Sequence, residues 1–594
     1  MKQFIKYVFA TITGVFIAGA IVALLSMLGL ASLAMLGSTP VAVSDNSVLV
    51  IQLQGFIDER SEENPFDAIV GNSMLESQGL DDILMAIKQA KEDEKVKGIY
   101  LEAGTIASAM PATLQAIRNA LADFKQTGKF IVAYGDSYTQ GNYYLCSIAD
   151  SIIVNPTGMI DWCGLSSQVA YYKDLLEKIG VEMQVVKVGT YKSAVEPYLQ
   201  NEMSDENREQ IETYSQEIWA EMTKAVSESR GISQVRLNEL ADSAMLLQDT
   251  KLYKQENLVD LLAYSDAVPQ IIAQMMQVET KDDYNTITVQ ALASAASSQP
   301  KNPSGNIIAV YYAVGDIVNE PTNGLYTVPE IASRKVIKDL EELAADDDIK
   351  AVVIRINSGG GSAYASEQIW HQIMNLKKQK PVVVSMSDMA ASGGYYISCA
   401  ADYIFAEPTT LTGSIGIFGV FPNANKLLDE KLGVHFKTVK TNEFADFGDF
   451  SRPFTTQERA MAQNYINNGY ELFTRRCADG RKMPQEEIKQ IGEGRVWTGI
   501  HAQQIGLVDE LGGLTEALSK AKALSKTTHA SILNYPEKDD WMESLIEEMT
   551  GNSYADRQLI RSLGKYYDVF SDVQSTTRKI GIQASVPYYL MFNL

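Results

Sequence analysis

The chain carries one sequence pattern twice, and this duplication limits the folds open to it more than any other feature. Lys97-Gly-Ile-Tyr-Leu aligns with Lys350-Ala-Val-Val-Ile at an offset of 253, and Tyr143-Tyr144 with Asp150 aligns with Tyr395-Tyr396 and Asp402 at 252. Gly180-Val181 aligns with Gly433-Val434 at 253, and Leu258-Val259-Asp260 with Leu507-Val508-Asp509 at 249. Matches in one order at a nearly constant offset mean two copies of one domain. Within each copy, short apolar runs rich in β-branched residues alternate with helical patterns, as in Ala351–Ile356, Ala365–Lys377, Val382–Val384 and Tyr395–Ala401. That alternation predicts βαβ units and a largely parallel, buried α/β sheet.

The copies are expected over residues 47–290 and 306–534, with a Ser-, Ala-, Pro- and Gly-rich linker at 291–305 and a C-terminal extension at 535–594. A chain of 594 residues is long enough for more than one core. Residues 7–36 carry no charge and exceed the roughly 20 residues that span a bilayer, so residues 1–46 are expected to hold a membrane anchor. Lys2 and Lys6 precede that run, which keeps the short N-terminus cytoplasmic and sends the rest across the membrane. A long cleaved signal ending near Ala42–Ser44 is the alternative. The net charge of −23 excludes the basic surface that nucleic-acid binding requires. The four cysteines, Cys146, Cys163, Cys399 and Cys477, have no CxxC spacing, and the four histidines form no ligand motif, so neither a metal nor another cofactor is expected.

The copies become informative where they differ, because a position needed for packing alone should keep its packing character in both. Ser392, in Asp388-Met-Ala-Ala-Ser-Gly-Gly-Tyr-Tyr, faces Gln140 in the first copy. The glycine run Asn357-Ser-Gly-Gly-Gly-Ser362 faces Gly104-Thr-Ile-Ala-Ser-Ala109. Lys192, in Tyr191-Lys-Ser-Ala-Val-Glu-Pro197, faces Ala445 in the second copy. These losses are complementary. Ser392 follows a strand and opens a helix, where a hydroxyl is presented beside backbone amides. The glycines let amides approach a developing oxyanion with no Cβ in the way. A desolvated lysine can take the serine's proton, because burial disfavours the ammonium. This role requires the Glu196 carboxylate to point away from Lys192.

Taken singly, each signal has a plainer meaning: a solvated lysine, a small residue at a helix start, a tight turn. Together, Asn-Ser-x-Gly-Gly-Ser, Asp-Met-Ala-Ala-Ser-Gly-Gly-Tyr-Tyr, Thr412-Gly-Ser-Ile-Gly416 and Tyr191-Lys-Ser-Ala-Val-Glu-Pro197 resemble the signal peptide peptidase A (protease IV) family in its long, duplicated form. The resemblance spans nearly the whole chain. It implies two tandem Clp-protease/crotonase-like repeats and a bacterial inner-membrane, single-pass anchor. It also implies a periplasmic endopeptidase that degrades cleaved signal peptides through an acyl-enzyme. It maps the nucleophile to Ser392, the general base to Lys192, a serine beside the lysine to Ser414, and oxyanion donors to Gly360 and Gly393. Gly359 stands where the family usually has proline. The resemblance further implies a homotetramer whose sites lie between repeats and face an inner cavity. The rival functions are a crotonase-type acyl-CoA enzyme, which needs no serine nucleophile, and an inactive peptide-binding scaffold. The apolar end Ala584–Leu594 resembles a substrate; it is expected either to dock near a cavity or membrane or to pack on its own domain.

Overall fold

The computed structural model describes Gly14 and residues 43–60, 77–297, 305–321, 329–537 and 581–585. The expected anchor, apart from Gly14, lies outside the described residues, and among the described residues no helix is long and apolar enough to cross a membrane. The first repeat contributes β1 (Ser47–Asp58), β2 (Ser77–Gly79), β3 (Val96–Ser108), β4 (Phe130–Tyr138), β5 (Ser151–Ile160), β6 (Glu182–Val188), β7 (Leu261–Leu262) and β8 (Asn285–Thr288). All but β6 form one parallel sheet in the order β2-β1-β3-β4-β5-β7, with β8 beside β1.

The second repeat contributes β9 (Ile307–Val314), β10 (Asp316–Val318), β11 (Glu330–Ala332), β12 (Ile349–Ser358), β13 (Gly360–Ser362), β14 (Val382–Ala391), β15 (Tyr403–Ala406), β16 (Leu411–Gly413), β17 (Ile417–Asn423), β18 (Val496–Thr498), β19 (Glu510–Leu511) and β20 (Ser531–Tyr535). Its main sheet runs β18-β16-β14-β12-β9-β20, with β15 between β14 and β19. The duplication is visible in the pairings: β3 pairs with β1 as β12 pairs with β9, and β8 lies parallel to β1 as β20 lies parallel to β9. Every residue of β14 is buried, as expected for a parallel strand covered on both faces.

A third sheet, in the order β11-β10-β13-β21-β17-β6, joins the halves; β21 is Gly581–Ser585. In it β6 of the first repeat runs antiparallel to β17 of the second, from Val188 opposite Ile417 to Glu182 opposite Asn423. The cores also cross the boundary. Met389, Ala391, Leu411 and Val496 pack into the first repeat's core, and Val186 into the second's. Part of the expected linker is ordered differently, since residues 291–297 lie in the helix Val289–Ser297, with Leu292 and Ala293 buried. Alanine favours helix, and Val289, Leu292 and Ala293 fall on one helical face, which composition alone does not reveal.

Polar groups stitch the halves together as well. Arg355 on β12 pairs with Glu59, just past β1, at 2.8 Å, with both side chains almost fully buried. Its guanidinium also donates to Ser385 Oγ and Ser387 Oγ at 2.9 and 2.8 Å, and Ser387 Oγ donates to Glu59. Removing one partner of such a pair strands the other charge in the interior. Glu59→Ala is expected to lower unfolding stability by about 3–5 kcal/mol, read as a shifted urea midpoint, and the double variant Glu59→Leu/Arg355→Met is expected to recover most of it.

Candidate active site

Ser392 sits between the end of β14 and the helix Gly393–Ser398, in a turn with φ 55° and ψ −111°. A non-glycine residue held at such angles costs about 1–3 kcal/mol and persists only where its surroundings fix it. Here its amide donates to Gly413 O at 2.8 Å. The glycines that follow are sterically required. A Cβ on Gly393 would lie 2.7 Å from Ser366 Oγ, and one on Gly394 would lie 2.7 Å from Ser358 O. The serine side chain is fully buried.

Lys192 reaches this serine because β6 delivers it along the edge of β17. Past β6, the amide of Tyr191 donates to Glu493 O at 2.8 Å, which turns the first repeat's chain toward the second. Gln210 completes the link: its Nε2 donates to Tyr191 O and Ser193 Oγ, both at 3.1 Å, while its Oε1 accepts from the Val496 amide at 3.2 Å. The lysine stem then passes close to two glycines. A Cβ on Gly494 would come within 2.7 Å of Lys192 Cβ, and one on Gly416 within 3.2 Å of Lys192 Cδ. Lys192 Nζ lies 2.8 Å from Ser392 Oγ, 3.0 Å from Ser414 Oγ and 3.2 Å from Ser414 O. The Phe418 ring centroid is 5.9 Å away.

Lys192 is only 1% exposed, and desolvation pushes its pKa down from 10.5 to about 7. The Glu196 carboxylate does point elsewhere, accepting from Ser204 Oγ and Asn207 Nδ2. The glycine loop lies against the start of the serine's helix, with Gly360 at φ 103° and a Cβ built on it only 2.6 Å from the Gly393 amide nitrogen. The Gly360 amide itself donates to Ser358 Oγ at 3.1 Å.

The first repeat's counterpart is closed. Gln140 Oε1 accepts from the amides of Cys163 and Gly164 at 3.1 and 2.8 Å, and its Nε2 donates to Gly164 O at 3.2 Å. Ala445, at the position matching Lys192, lies exposed in a loop. Among the described residues, no group of three or more His, Cys, Asp or Glu could hold a metal ion. Gly416 closes the Thr412–Gly416 motif but was given no role there, and Gln210 and Gly494 were not singled out. The two glycines had a signal in the lysine's need for room, but Gln210 had none, because its partners lie in distant segments.

Comparisons with known proteins support a serine-type peptidase with a Clp-protease-like α/β fold, and a family model described as Clp protease matches residues 326–410. The chain belongs to Peptidase family S49, whose model matches it twice, at residues 123–279 and 374–528. Its relatives include Protease 4 of Haemophilus influenzae, 35% identical over 82% of this chain and 80% of its own. Protease 4 of Salmonella typhi is 35% identical over 85% of this chain and 82% of its own. The chloroplastic serine protease SPPA of Arabidopsis thaliana is 30% identical over 81% of this chain and 69% of its own.

A lysine neutral when folded and charged when unfolded makes the unfolded state bind more protons between about pH 7 and 10.5, so stability rises with pH across that window. Lys192→Met is therefore expected to raise the melting temperature most below pH 7. Its advantage over the parent should narrow between pH 7 and 10.5 in melts run at matched ionic strength.

Proposed function

We propose that the chain is a serine endopeptidase in which Lys192 activates Ser392. The observation that carries this reading is the buried Lys192 amine 2.8 Å from the Ser392 hydroxyl, with no carboxylate among the causes of its lowered pKa. A neutral amine has two N–H donors and one lone pair. Ser414 O and Oγ accept the donors, which leaves the lone pair facing Ser392 O–H. Ser392 Oγ attacks a peptide carbonyl as its proton moves to Lys192, which then protonates the leaving amine. Water, deprotonated by the same amine, hydrolyses the acyl-enzyme. The Gly393 amide, at the first position of its helix, holds the oxyanion, and the Gly360 amide joins it by sharing its bond to Ser358.

The substrates are cleaved signal peptides and other small or unfolded peptides, met on the periplasmic side of the inner membrane. The charge-free run at 7–36 behind Lys2 and Lys6 supports a single-pass anchor. The repeats span residues 47–290 and 306–534, and Ser392 and Lys192 come one from each.

The chain works as a homotetramer. By the repeat offset, residues 164–170 correspond to β17 and residues 435–441 to β6. Neither segment lies in a strand, and Phe436 and Val439 are 51% and 98% exposed. Pairing 435–441 of one copy with 164–170 of the next repeats between chains the contact that β6 makes with β17 within one. Such a head-to-tail contact can close into a ring.

Ser392→Ala and Lys192→Ala are each expected to cut fluorogenic-peptide turnover by at least about a thousandfold. Unchanged turnover in either would refute the dyad. The parent's kcat/KM should rise about tenfold per pH unit up to about pH 7 and then level off, because the neutral amine is the working form. Covalent labelling of Ser392 by a fluorophosphonate separates this enzyme from a crotonase-type one. Val439→Asp is expected to lower the mass measured by light scattering to that of smaller assemblies.

A further inference from the structure

We propose that Arg495 is a positioning residue for the Lys192 amine, holding it through Tyr191 on one side and Ser414 on the other. This rests on the Ser392–Lys192 reading above. Arg495 ends a turn over residues 492–495, just before β18, and that turn touches both the lysine's segment and the Ser414–Ile415 pair.

Toward the lysine, the Arg495 guanidinium lies over two rings, 4.7 Å from the Tyr191 centroid and 4.5 Å from that of Trp497. It donates to Tyr191 Oη at 3.2 Å and pairs with Glu209 at 2.8 Å, while Tyr191 Oη donates to Glu209 at 3.1 Å. A planar guanidinium held by a carboxylate and stacked on a ring fixes that ring, and with it the residue before Lys192. The neighbouring Glu493 carboxylate accepts from the Thr190 amide and hydroxyl at 3.0 and 3.1 Å. Toward Ser414, the Arg495 carbonyl accepts from the Ser414 amide at 2.7 Å, and the Gly494 amide donates to Ile415 O at 2.9 Å.

One turn therefore sets both ends of the contact between Lys192 and Ser414. Glu493 at φ 51° and Ser414 at φ 49° take left-handed angles uncommon for such side chains, which persist where the surroundings hold them. Charged groups on the neighbouring elements are engaged away from the amine. Lys187 Nζ donates to Lys192 O, Glu196 is bound by Ser204 and Asn207, Glu209 by Arg495, and Glu493 by Thr190. Arg495 thus acts by the place it gives the lysine rather than by its charge.

The test is the pH dependence of kcat and KM for a fluorogenic peptide, measured on the full chain purified in detergent, with Ser392→Ala as the blank. Arg495→Ala is expected to lower kcat at pH 7 about tenfold or more with KM nearly unchanged, because small displacements of a reacting group are costly. The plateau of kcat/KM is expected about one pH unit above the parent's, since a loosened segment admits water to the amine. Arg495→Lys keeps the charge but not the plane, and is expected to behave like Arg495→Ala. A parental profile in Arg495→Lys overturns the proposal by assigning the effect to charge. A fall in kcat with an unmoved plateau also overturns it, as does an unchanged Arg495→Ala. If circular dichroism shows either variant unfolded, Tyr191→Leu, which takes the ring out of the clamp, decides: the raised plateau is expected, and a parental one overturns the proposal. Peptide turnover by Ser392→Ala would instead sink the dyad itself.

Discussion

A lysine amine buried without a counter-ion is the constraint around which the structure is organised. Burying an ammonium is costly, and the protein avoids that cost by letting the amine go neutral near pH 7. Everything that shapes the surroundings follows from this. Glu196 is held away by Ser204 and Asn207, the stem passes beside Gly416 and Gly494, and the polar groups within reach are the uncharged Ser392 hydroxyl and Ser414 oxygens. A carboxylate in place of any of these would favour the charged form and oppose proton acceptance.

Covalent duplication lets the two halves specialise. The β6–β17 pairing and the Gln210 bridge hold the lysine of one repeat against the serine of the other within a single chain. The matching position in the first repeat has been converted to structure, with Gln140 satisfying the amides of Cys163 and Gly164. At this position a polar side chain braces the loop through three hydrogen bonds.

Much of this was legible in the sequence because the repeat supplies its own alignment. The offset of about 253 picks out Lys192, Gln140, Ser392 and Ala445 as the positions where the halves disagree, and β-branched runs mark strands such as β12 and β14. What stayed hidden depends on contacts between distant segments. Nothing local in Glu59 or Arg355 marks their pairing, since their environment is assembled by two sheets. The helix over 291–297 was masked by a composition shared with loops. The apolar tail's likeness to a substrate was visible, but its register against β13 and β17 was not, because strand register is set by the partners.

The link between β6 and β17 has a genetic consequence. With both proposed reacting groups on one polypeptide, a chain that loses either is inactive whatever its neighbours carry, and two differently defective chains have no way to complement each other across this contact. In a mixed assembly the surviving activity would simply track the fraction of intact chains. Such alleles would behave as recessive, and selection would act on each gene copy by itself.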